Sequence, residues 1–282
     1  MFKGVIFWWQ NIPYYINPVV IKIKSLEIRW YGIMYALSFL VTYRMILYRL
    51  DKENISISRD LIDKYFFWMI LAVILGARLG YVFFYNFSYF WENPLEIFLP
   101  FDFKQGIRFI GISGMSYHGG LLGLILGTLF FCYKNRIDFW RLADLVASVV
   151  PLGYTLGRIG NFLNLELYGR ATNFFLGMYF PTDPLNKLRH PSQIYEAFFE
   201  GIALFLFLDF IRKKIKIKGA IFSFYLLGYG FLRFMVEFFR QPDIQLGFVW
   251  GPLTLGQIFC SFMVLAGTLF LIFRYRRKES CV

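Results

Sequence analysis

Long apolar segments alternate with short polar segments along almost the whole chain. A helix needs ~20 predominantly apolar residues to cross a bilayer. Seven segments approach that length, at 30–49, 63–85, 113–133, 142–163, 194–211, 219–239 and 253–273. The pattern predicts an all-α, polytopic membrane protein with about seven transmembrane helices, formed by a single integral membrane domain over residues 1–282.

Basic residues are concentrated between alternate apolar segments. Four stretches, "RLDKENISISRDLIDK", "KNRIDFWR", "RKKIKIK" and "RYRRK", hold sixteen of the thirty lysines and arginines. Cytoplasmic loops carry the excess of positive charge in membrane proteins, so these stretches predict a cytoplasmic C-terminus and an outside N-terminus. The connections 86–112 and 164–193 then form a small outer (periplasmic) head built from loops, where we expect a substrate platform.

Composition narrows the class of protein further. Apolar residues make up 58 % of the chain and charged residues 17 %, so the net charge of +12 is explained by cytoplasmic loops rather than by a nucleic-acid groove. The three cysteines are far apart in sequence, which fits neither a disulfide framework nor a zinc cluster. The N-terminal "MFKGVIFWWQNIPYYINP" is interrupted by prolines and rich in aromatic residues, so we predict a retained segment at the membrane interface.

Four arginines fall inside the predicted spans: Arg44, Arg78, Arg158 and Arg233. An arginine at the centre of a bilayer costs ~3 kcal/mol on insertion scales, so such residues indicate function unless they are paired or reach the interface. Arg44 lies near the cytoplasmic end of its span and is expected to extend into the interface. The other three lie in the outer halves of their helices, where they are expected to face one outward cavity.

Two interpretations of these arginines remain open at this stage. The planar guanidinium donates paired hydrogen bonds and stays charged when desolvated, which suits a phosphate such as a phospholipid headgroup. The alternative is structural pairing of Arg233 with Glu237, Glu196 or Glu200. Histidine is a common proton acceptor at neutral pH, so His118, at the outer end of the third span, is a candidate for that role, although a packing role is equally compatible with the sequence.

The stretch "GRIGNFLNLELYGR" at 157–170 closely resembles the signature of bacterial phosphatidylglycerol–prolipoprotein diacylglyceryl transferases. Four further blocks agree with that family in order: "RWYGIMY", "GMSYHGG", "RHPSQIYE" and "GYGFLRFMVEFFRQPD". The matches run from position 29 to position 243. Leu165 is a departure, because a small or polar residue is expected before the glutamate.

The resemblance implies an enzyme of the bacterial inner membrane. It would transfer the diacylglyceryl group of phosphatidylglycerol to the lipobox cysteine thiol of prolipoproteins, forming a thioether and releasing glycerol phosphate. Its partners would be phosphatidylglycerol, prolipoprotein signal peptides and membrane lipids, and no metal or other cofactor is expected. Carried over by motif, the catalytic candidates are His118, Arg158 and Arg233. Together with Arg78 from the span analysis, the substrate-binding candidates are Tyr31, Arg78, Asn161, Asn164, Glu166, Gly169, Tyr229 and Glu237.

Two rival functions share some of these features. "GISG" at 111–114 matches the pattern of a rhomboid-type serine protease, but Ser113 precedes His118 by only five residues, whereas that fold places its histidine on a later helix. An anion or phospholipid transporter would use the arginines as a binding track. Transporters of this kind commonly show internal repeats, and we find no repeat in this sequence.

Overall fold

The computed structural model describes residues 2–23, 26–53, 55–99, 101–102, 108–109, 114–242 and 247–277. Its helices are α1 (Phe2–Asn11), α2 (Trp30–Glu53), α3 (Arg59–Tyr85), α4 (Phe87–Glu92), α5 (Tyr117–Asn135), α6 (Phe139–Ala147), α7 (Val150–Leu163), α8 (Ser192–Glu196), α9 (Leu204–Arg212), α10 (Ala220–Val236) and α11 (Leu255–Arg277). Short 3₁₀ helices span Ile12–Tyr15 and Pro94–Ile97, and a π-helical segment, Ala197–Ala203, joins α8 to α9.

The described strands pair as four antiparallel hairpins. They are β1 (Val19–Ile23) with β2 (Leu26–Arg29), β3 (Phe101–Asp102) with β4 (Arg108–Phe109), β5 (Met178–Tyr179) with β6 (Leu188–Arg189), and β7 (Phe248–Trp250) with β8 (Leu253–Thr254). The hairpins are short and lie between helices, so the chain is mostly helical with little sheet.

Three of the described helices, α2, α3 and α11, are long and apolar enough to cross a membrane. Helices α6 and α7 meet the same criterion together, with a bend of 42° between them. Pro151 lies in the first turn of α7, and proline cannot donate the hydrogen bond that would continue α6 into α7. The described part of the chain therefore has three or four candidate spans, as expected of a membrane protein. The other predicted spans are also helical, at α5, at residues 192–212 and at α10.

Residues 49–139 form one compact unit, in which α3 packs closely against α5. A Cβ atom placed on Gly76 would lie 2.5 Å from the Gly119 carbonyl oxygen, and one on Gly80 would lie 2.7 Å from the Gly119 Cα. The side chain of Ser116 begins α5 by accepting a hydrogen bond from the Gly119 amide at 3.2 Å. Glycine at these positions therefore lets the two helix backbones touch, as is common between membrane helices.

Residues 1–48 and 140–282 form the second compact unit. In it, α7 packs against the π-helical segment, and α10 packs against α11. A Cβ atom on Gly201 would lie 3.0 Å from the Thr155 Cβ, and one on Gly230 would lie 3.0 Å from the Cys260 carbonyl oxygen. These close approaches hold the π-helical segment against α7 and α10 against α11.

Residues 164–193 fold around a small core and the β5–β6 hairpin. Leu165, Met178 and Phe180 are buried together, and aromatic residues of α1 and α7 pack around them. Asp183 accepts two hydrogen bonds from Arg189, at 2.8 and 2.9 Å, and this pairing lowers the pKa of the Asp183 carboxyl. Helix α1 is fixed to the hairpin through the Trp9 indole, which donates to the Leu176 carbonyl at 3.0 Å. The N-terminal segment, predicted from sequence to lie at the membrane interface, thus packs on residues 164–193.

The turn after α7 contains two residues in the left-handed region, Leu165 at φ 58° and Leu167 at φ 59°. Residues other than glycine, asparagine and aspartate rarely adopt this conformation, which costs ~1 kcal/mol or more. Hydrogen bonds from Thr182 to the Leu165 carbonyl (2.6 Å) and from Gln193 to the Glu166 carbonyl (2.6 Å) fix the turn. Leu165, the departure from the family signature, is therefore accommodated because its side chain fills the small core.

We expect Gly119→Ala to destabilise the α3–α5 pair by about 2 kcal/mol, because the new methyl group would overlap the Gly80 Cα, only 2.8 Å away. Gly120→Ala is the matched control, since a Cβ there would lie 3.4 Å from the Ala77 Cβ, an ordinary contact. Apparent melting temperatures in detergent, followed by size-exclusion chromatography, measure both. Equal melting temperatures for the two variants would contradict the close packing.

We expect Leu165→Gly to destabilise the small core that Leu165 forms with Met178 and Phe180 by about 3 kcal/mol, because it removes a buried side chain. Leu167→Gly relieves the same backbone conformation at an exposed position, so its effect should stay below about 1 kcal/mol. Limited proteolysis of residues 164–193 in detergent reports local stability. Equal susceptibility of the two variants would show that burial of Leu165 does not hold the turn.

Candidate active site

The polar residues at the end of α7 form a chain of hydrogen bonds. Arg158 Nη1 donates to Asn161 Oδ1 at 3.2 Å, and Asn161 Nδ2 donates to Glu166 Oε1 at 2.8 Å. Asn164 Nδ2 donates to the other oxygen of Glu166 at 2.9 Å. The turn after α7 folds Glu166 back towards the helix, so these residues of the predicted site lie in one hydrogen-bonded chain.

A single carboxylate, Glu196, bridges the two arginines that the sequence singles out. Arg158 Nε lies 2.7 Å from Glu196 Oε2, and Arg233 Nη1 lies 3.2 Å from Glu196 Oε1. Glu196 is the last residue of α8, so α7, α8 and α10 meet at this carboxylate. Structural pairing, the alternative that the sequence left open, is therefore present in the folded protein.

Arg233 has two further acidic neighbours. Its Nη2 lies 2.9 Å from Glu237 Oε2, one turn later on the chain, and its Nη1 lies 3.7 Å from Glu200 Oε1. Glu237 in turn accepts a hydrogen bond from the Thr254 hydroxyl at 3.1 Å, which ties the end of α10 to the start of α11. Arg240 Nη1 approaches Glu196 at 3.9 Å.

Two tyrosines lie beside the ion pairs. The guanidinium carbon of Arg158 lies 4.8 Å from the centre of the Tyr154 ring, in cation–π geometry. The Tyr229 ring meets the Tyr154 ring edge-on, with centres 5.6 Å apart. The Tyr154 hydroxyl donates to Glu200.

Burial is distributed unevenly within this cluster. The side chains of Arg158 and Arg233 keep 20 % and 12 % of their surface accessible, whereas Glu196 and Glu200 keep 1 % and 0 %. The carboxylates are thus enclosed, while part of each arginine side chain remains accessible. Two partly accessible, permanently charged donors held by enclosed carboxylates are suited to binding an anion such as a phosphate.

Gly169 and Tyr31 are placed by close backbone packing. A Cβ atom on Gly169 would meet the Phe239 carbonyl oxygen and lie 2.8 Å from the His190 carbonyl oxygen. Any side chain there would therefore push the turn away from the segment after α10. Tyr31 lies in the first turn of α2, where α7 approaches: a Cβ atom on Gly160 of α7 would lie 3.6 Å from the Tyr31 Cα.

Arg78 and His118 belong to the other compact unit, residues 49–139. Arg78 donates to the carbonyls of Ile97 (2.7 Å), Gly114 (3.2 Å) and Glu96 (2.6 Å), and it lies over the Phe90 ring. Arg78 therefore holds the segment between α3 and α5 in place. His118 is exposed in the first turn of α5, with its ring edge-on to Tyr117.

The site predicted from sequence does not include four residues of the cluster, Tyr154, Glu196, Glu200 and Arg240, although Glu196 and Glu200 were considered as structural partners of Arg233. A signal for Glu196 and Glu200 existed, because two carboxylates four residues apart in an apolar segment are as costly as the arginines. Nothing in the sequence distinguishes Tyr154 from the other eighteen tyrosines. Ser113 of the rival protease pattern lies outside the described residues.

Cys132 and Cys260 are both buried, and the described residues contain no group of three or more His, Cys, Asp or Glu side chains arranged for a metal ion. His190, the second histidine, has its Nδ1 3.2 Å from the Tyr195 hydroxyl, and burial lowers its pKa.

Comparison with known proteins gives a consistent result. The profile of the prolipoprotein diacylglyceryl transferase family matches residues 18–273. A phosphatidylglycerol–prolipoprotein diacylglyceryl transferase from Chlorobaculum tepidum is 44 % identical over 274 residues, covering 97 % of this chain and 95 % of the relative. Proteins of the same name from Campylobacter lari and Acinetobacter baumannii are 45 % and 42 % identical, covering 95 % and 93 % of this chain and 97 % and 94 % of their own lengths.

The family profile spans most of the chain, and the relatives match it over almost their whole length. The resemblance found in the signature at 157–170 is thereby confirmed. The chain belongs to the prolipoprotein diacylglyceryl transferase family.

Proposed function

We propose that this membrane protein transfers the diacylglyceryl group of phosphatidylglycerol to the lipobox cysteine of prolipoproteins. The family carries the assignment of the reaction. In the structure, this assignment is supported by two partly accessible arginines, Arg158 and Arg233, which the enclosed Glu196 bridges. An anionic phospholipid headgroup is the ligand that this arrangement suits.

The reaction breaks the thiol S–H bond and the bond between the glyceryl carbon and the phosphate oxygen, and it forms a carbon–sulfur bond. The electron pair of the broken carbon–oxygen bond leaves with glycerol phosphate, and one proton is released from the thiol. The nucleophile belongs to the prolipoprotein, so Cys132 and Cys260 of this chain, both buried, have no part in it.

Arg158 and Arg233 stabilise the charge that develops on the leaving phosphate. Preorganised hydrogen-bond donors aimed at a developing anion contribute strongly to enzymatic catalysis. Arginine keeps its charge in an apolar environment and matches two phosphate oxygens with its planar fork. The carboxylates behind it hold the guanidiniums in place before substrate arrives.

A free thiol titrates near pH 8.5, so the lipobox cysteine needs a base or a positive field to react as thiolate. His118 is one candidate for the base, because it is exposed at the start of α5. Arg233 is the alternative, since its charge lowers the pKa of a nearby thiol. Both assignments remain open in this proposal.

The remaining candidates recognise the substrate or hold the residues that do. Asn164 Oδ1 is buried and accepts no hydrogen bond from any residue in the described ranges, so it suits a hydroxyl of the glycerol headgroup. Asn161 and Glu166 orient Arg158. Supporting roles are assigned to Tyr31, Arg78, Gly169, Tyr229 and Glu237.

We further propose the orientation of the chain in the bacterial inner membrane. Seven helical segments cross it, the basic connections and the C-terminus face the cytoplasm, and the N-terminus lies outside. The segments 86–112 and 164–193 then form an outer head, on the side from which a secreted prolipoprotein presents its cysteine.

Purified protein in phosphatidylglycerol vesicles should add a diacylglyceryl mass to the cysteine of a lipobox peptide, as measured by mass spectrometry. Arg158→Ala and Arg233→Ala should each lower the initial rate by about 100-fold or more, because each removes donors to the leaving phosphate. Arg44→Ala is the matched control: Arg44 is an exposed arginine within the α2 span, and its loss should leave the rate within about twofold.

Absence of peptide modification by folded wild-type protein would refute the enzyme assignment. Movement of phospholipid across the vesicle membrane without a covalent product would indicate a transporter instead. Cleavage of the peptide would indicate a protease.

A further inference from the structure

We infer that Tyr154 and Glu200 are positioning residues for the transfer reaction, and that they set the placement of the Arg158 guanidinium relative to the Arg233 guanidinium. This inference rests on the proposed function. Neither residue is needed to contact substrate, since both act through the two arginines.

The contacts of Tyr154 connect the two arginines through Glu200 as well as through Glu196, since its hydroxyl donates to Glu200 and, at a longer 3.4 Å, to Glu196 Oε2. Its ring lies under the Arg158 guanidinium, with 4.8 Å from the guanidinium carbon to the ring centre. Its hydroxyl donates to Glu200 Oε2, and the other oxygen of Glu200 lies 3.7 Å from Arg233 Nη1. One tyrosine therefore touches Arg158 directly and Arg233 through carboxylates.

Arg233 is held by three carboxylates rather than by Glu196 alone. Its Nη2 lies 2.9 Å from Glu237 Oε2, and its Nη1 lies 3.2 Å from Glu196 Oε1 and 3.7 Å from Glu200 Oε1. These three carboxylate oxygens are buried without a hydrogen bond from the described residues, so charge rather than hydrogen-bond geometry holds the guanidinium. Its position therefore depends on the balance of the three charges, and Glu200 is the carboxylate to which Tyr154 makes its shorter contact.

The backbone at Glu200 is adapted to this arrangement. Glu200 lies in the π-helical segment Ala197–Ala203, and such segments occur frequently at functional sites. The next residue, Gly201, touches the side chain of Thr155, which directly follows Tyr154 on α7. The wide turn and the glycine bring the carboxylate of Glu200 within reach of the Tyr154 hydroxyl.

The test compares Tyr154→Phe, Glu200→Gln and the double variant in the peptide modification assay, with phosphatidylglycerol varied. Tyr154→Phe keeps the ring beneath Arg158 and removes only the hydroxyl. Each single variant should lower kcat by about tenfold or more, with KM for phosphatidylglycerol within about twofold. The reason is that misplaced hydrogen-bond donors weaken stabilisation of the transition state more than they weaken substrate binding. The double variant should fall no further than about twofold below the slower single variant, since both changes break the same link.

Tyr65→Phe is the matched control, because it removes the hydroxyl of another buried tyrosine, which contacts Thr128 Oγ1 at 3.1 Å. Its kcat should remain within about twofold of wild type, and a thermal melt confirms that each variant is folded. A kcat near wild type in folded Tyr154→Phe or folded Glu200→Gln would overturn the inference. A loss of kcat in the double variant equal to the product of the two single losses would also overturn it. So would a loss of kcat in Tyr65→Phe as large as that in Tyr154→Phe. A wild-type protein without transfer activity would instead refute the proposed function.

Discussion

The carboxylate of Glu196 lies between the guanidiniums of Arg158 and Arg233, and the arrangement of the surrounding helices depends on this bridge. A guanidinium inside an apolar helix costs several kcal/mol unless an opposite charge meets it. The bridge reduces that cost for both arginines and joins α7, α8 and α10 at one point. The apolar surfaces of these helices permit many relative placements, whereas an ion pair of defined geometry restricts them.

The same bridge is compatible with the proposed binding site. Carboxylates that neutralise arginines also compete with an anionic ligand, so full pairing on all sides would prevent phosphate binding. Here the acids are enclosed and the arginine side chains retain accessible surface, from which the proposed phosphate would approach. In this proposal the acids hold the donors in place before the ligand arrives, which reduces the reorganisation needed during reaction.

Sequence reasoning located one half of this cluster as a site and considered part of the other half only as structural partners. Arg158, Asn161, Asn164 and Glu166 lie within nine residues of each other, so one motif contains them. Glu196 was considered as a partner of Arg233, but its contact with Arg158, thirty-eight positions away, was not predicted because spacing along a helix gives no information about it. The helical nature of the apolar segments was predictable from length and hydropathy alone. The break before α7 has a signal in Pro151 that the span prediction did not use, whereas the π-helical segment depends on packing between helices.

Arg78 is held differently from Arg158, although both arginines lie inside predicted spans. The described contacts of Arg78 include three backbone carbonyls and the face of Phe90. Arg158 is met by a carboxylate and by an amide that is itself bonded to a second acid. The partners of an arginine, and not only its presence in a span, therefore determine how it is held. The contacts of Arg78 join α3 to Glu96, Ile97 and Gly114, whereas those of Arg158 join α7 to α8 and to the turn after α7, which is the arrangement on which the proposed phosphate site depends.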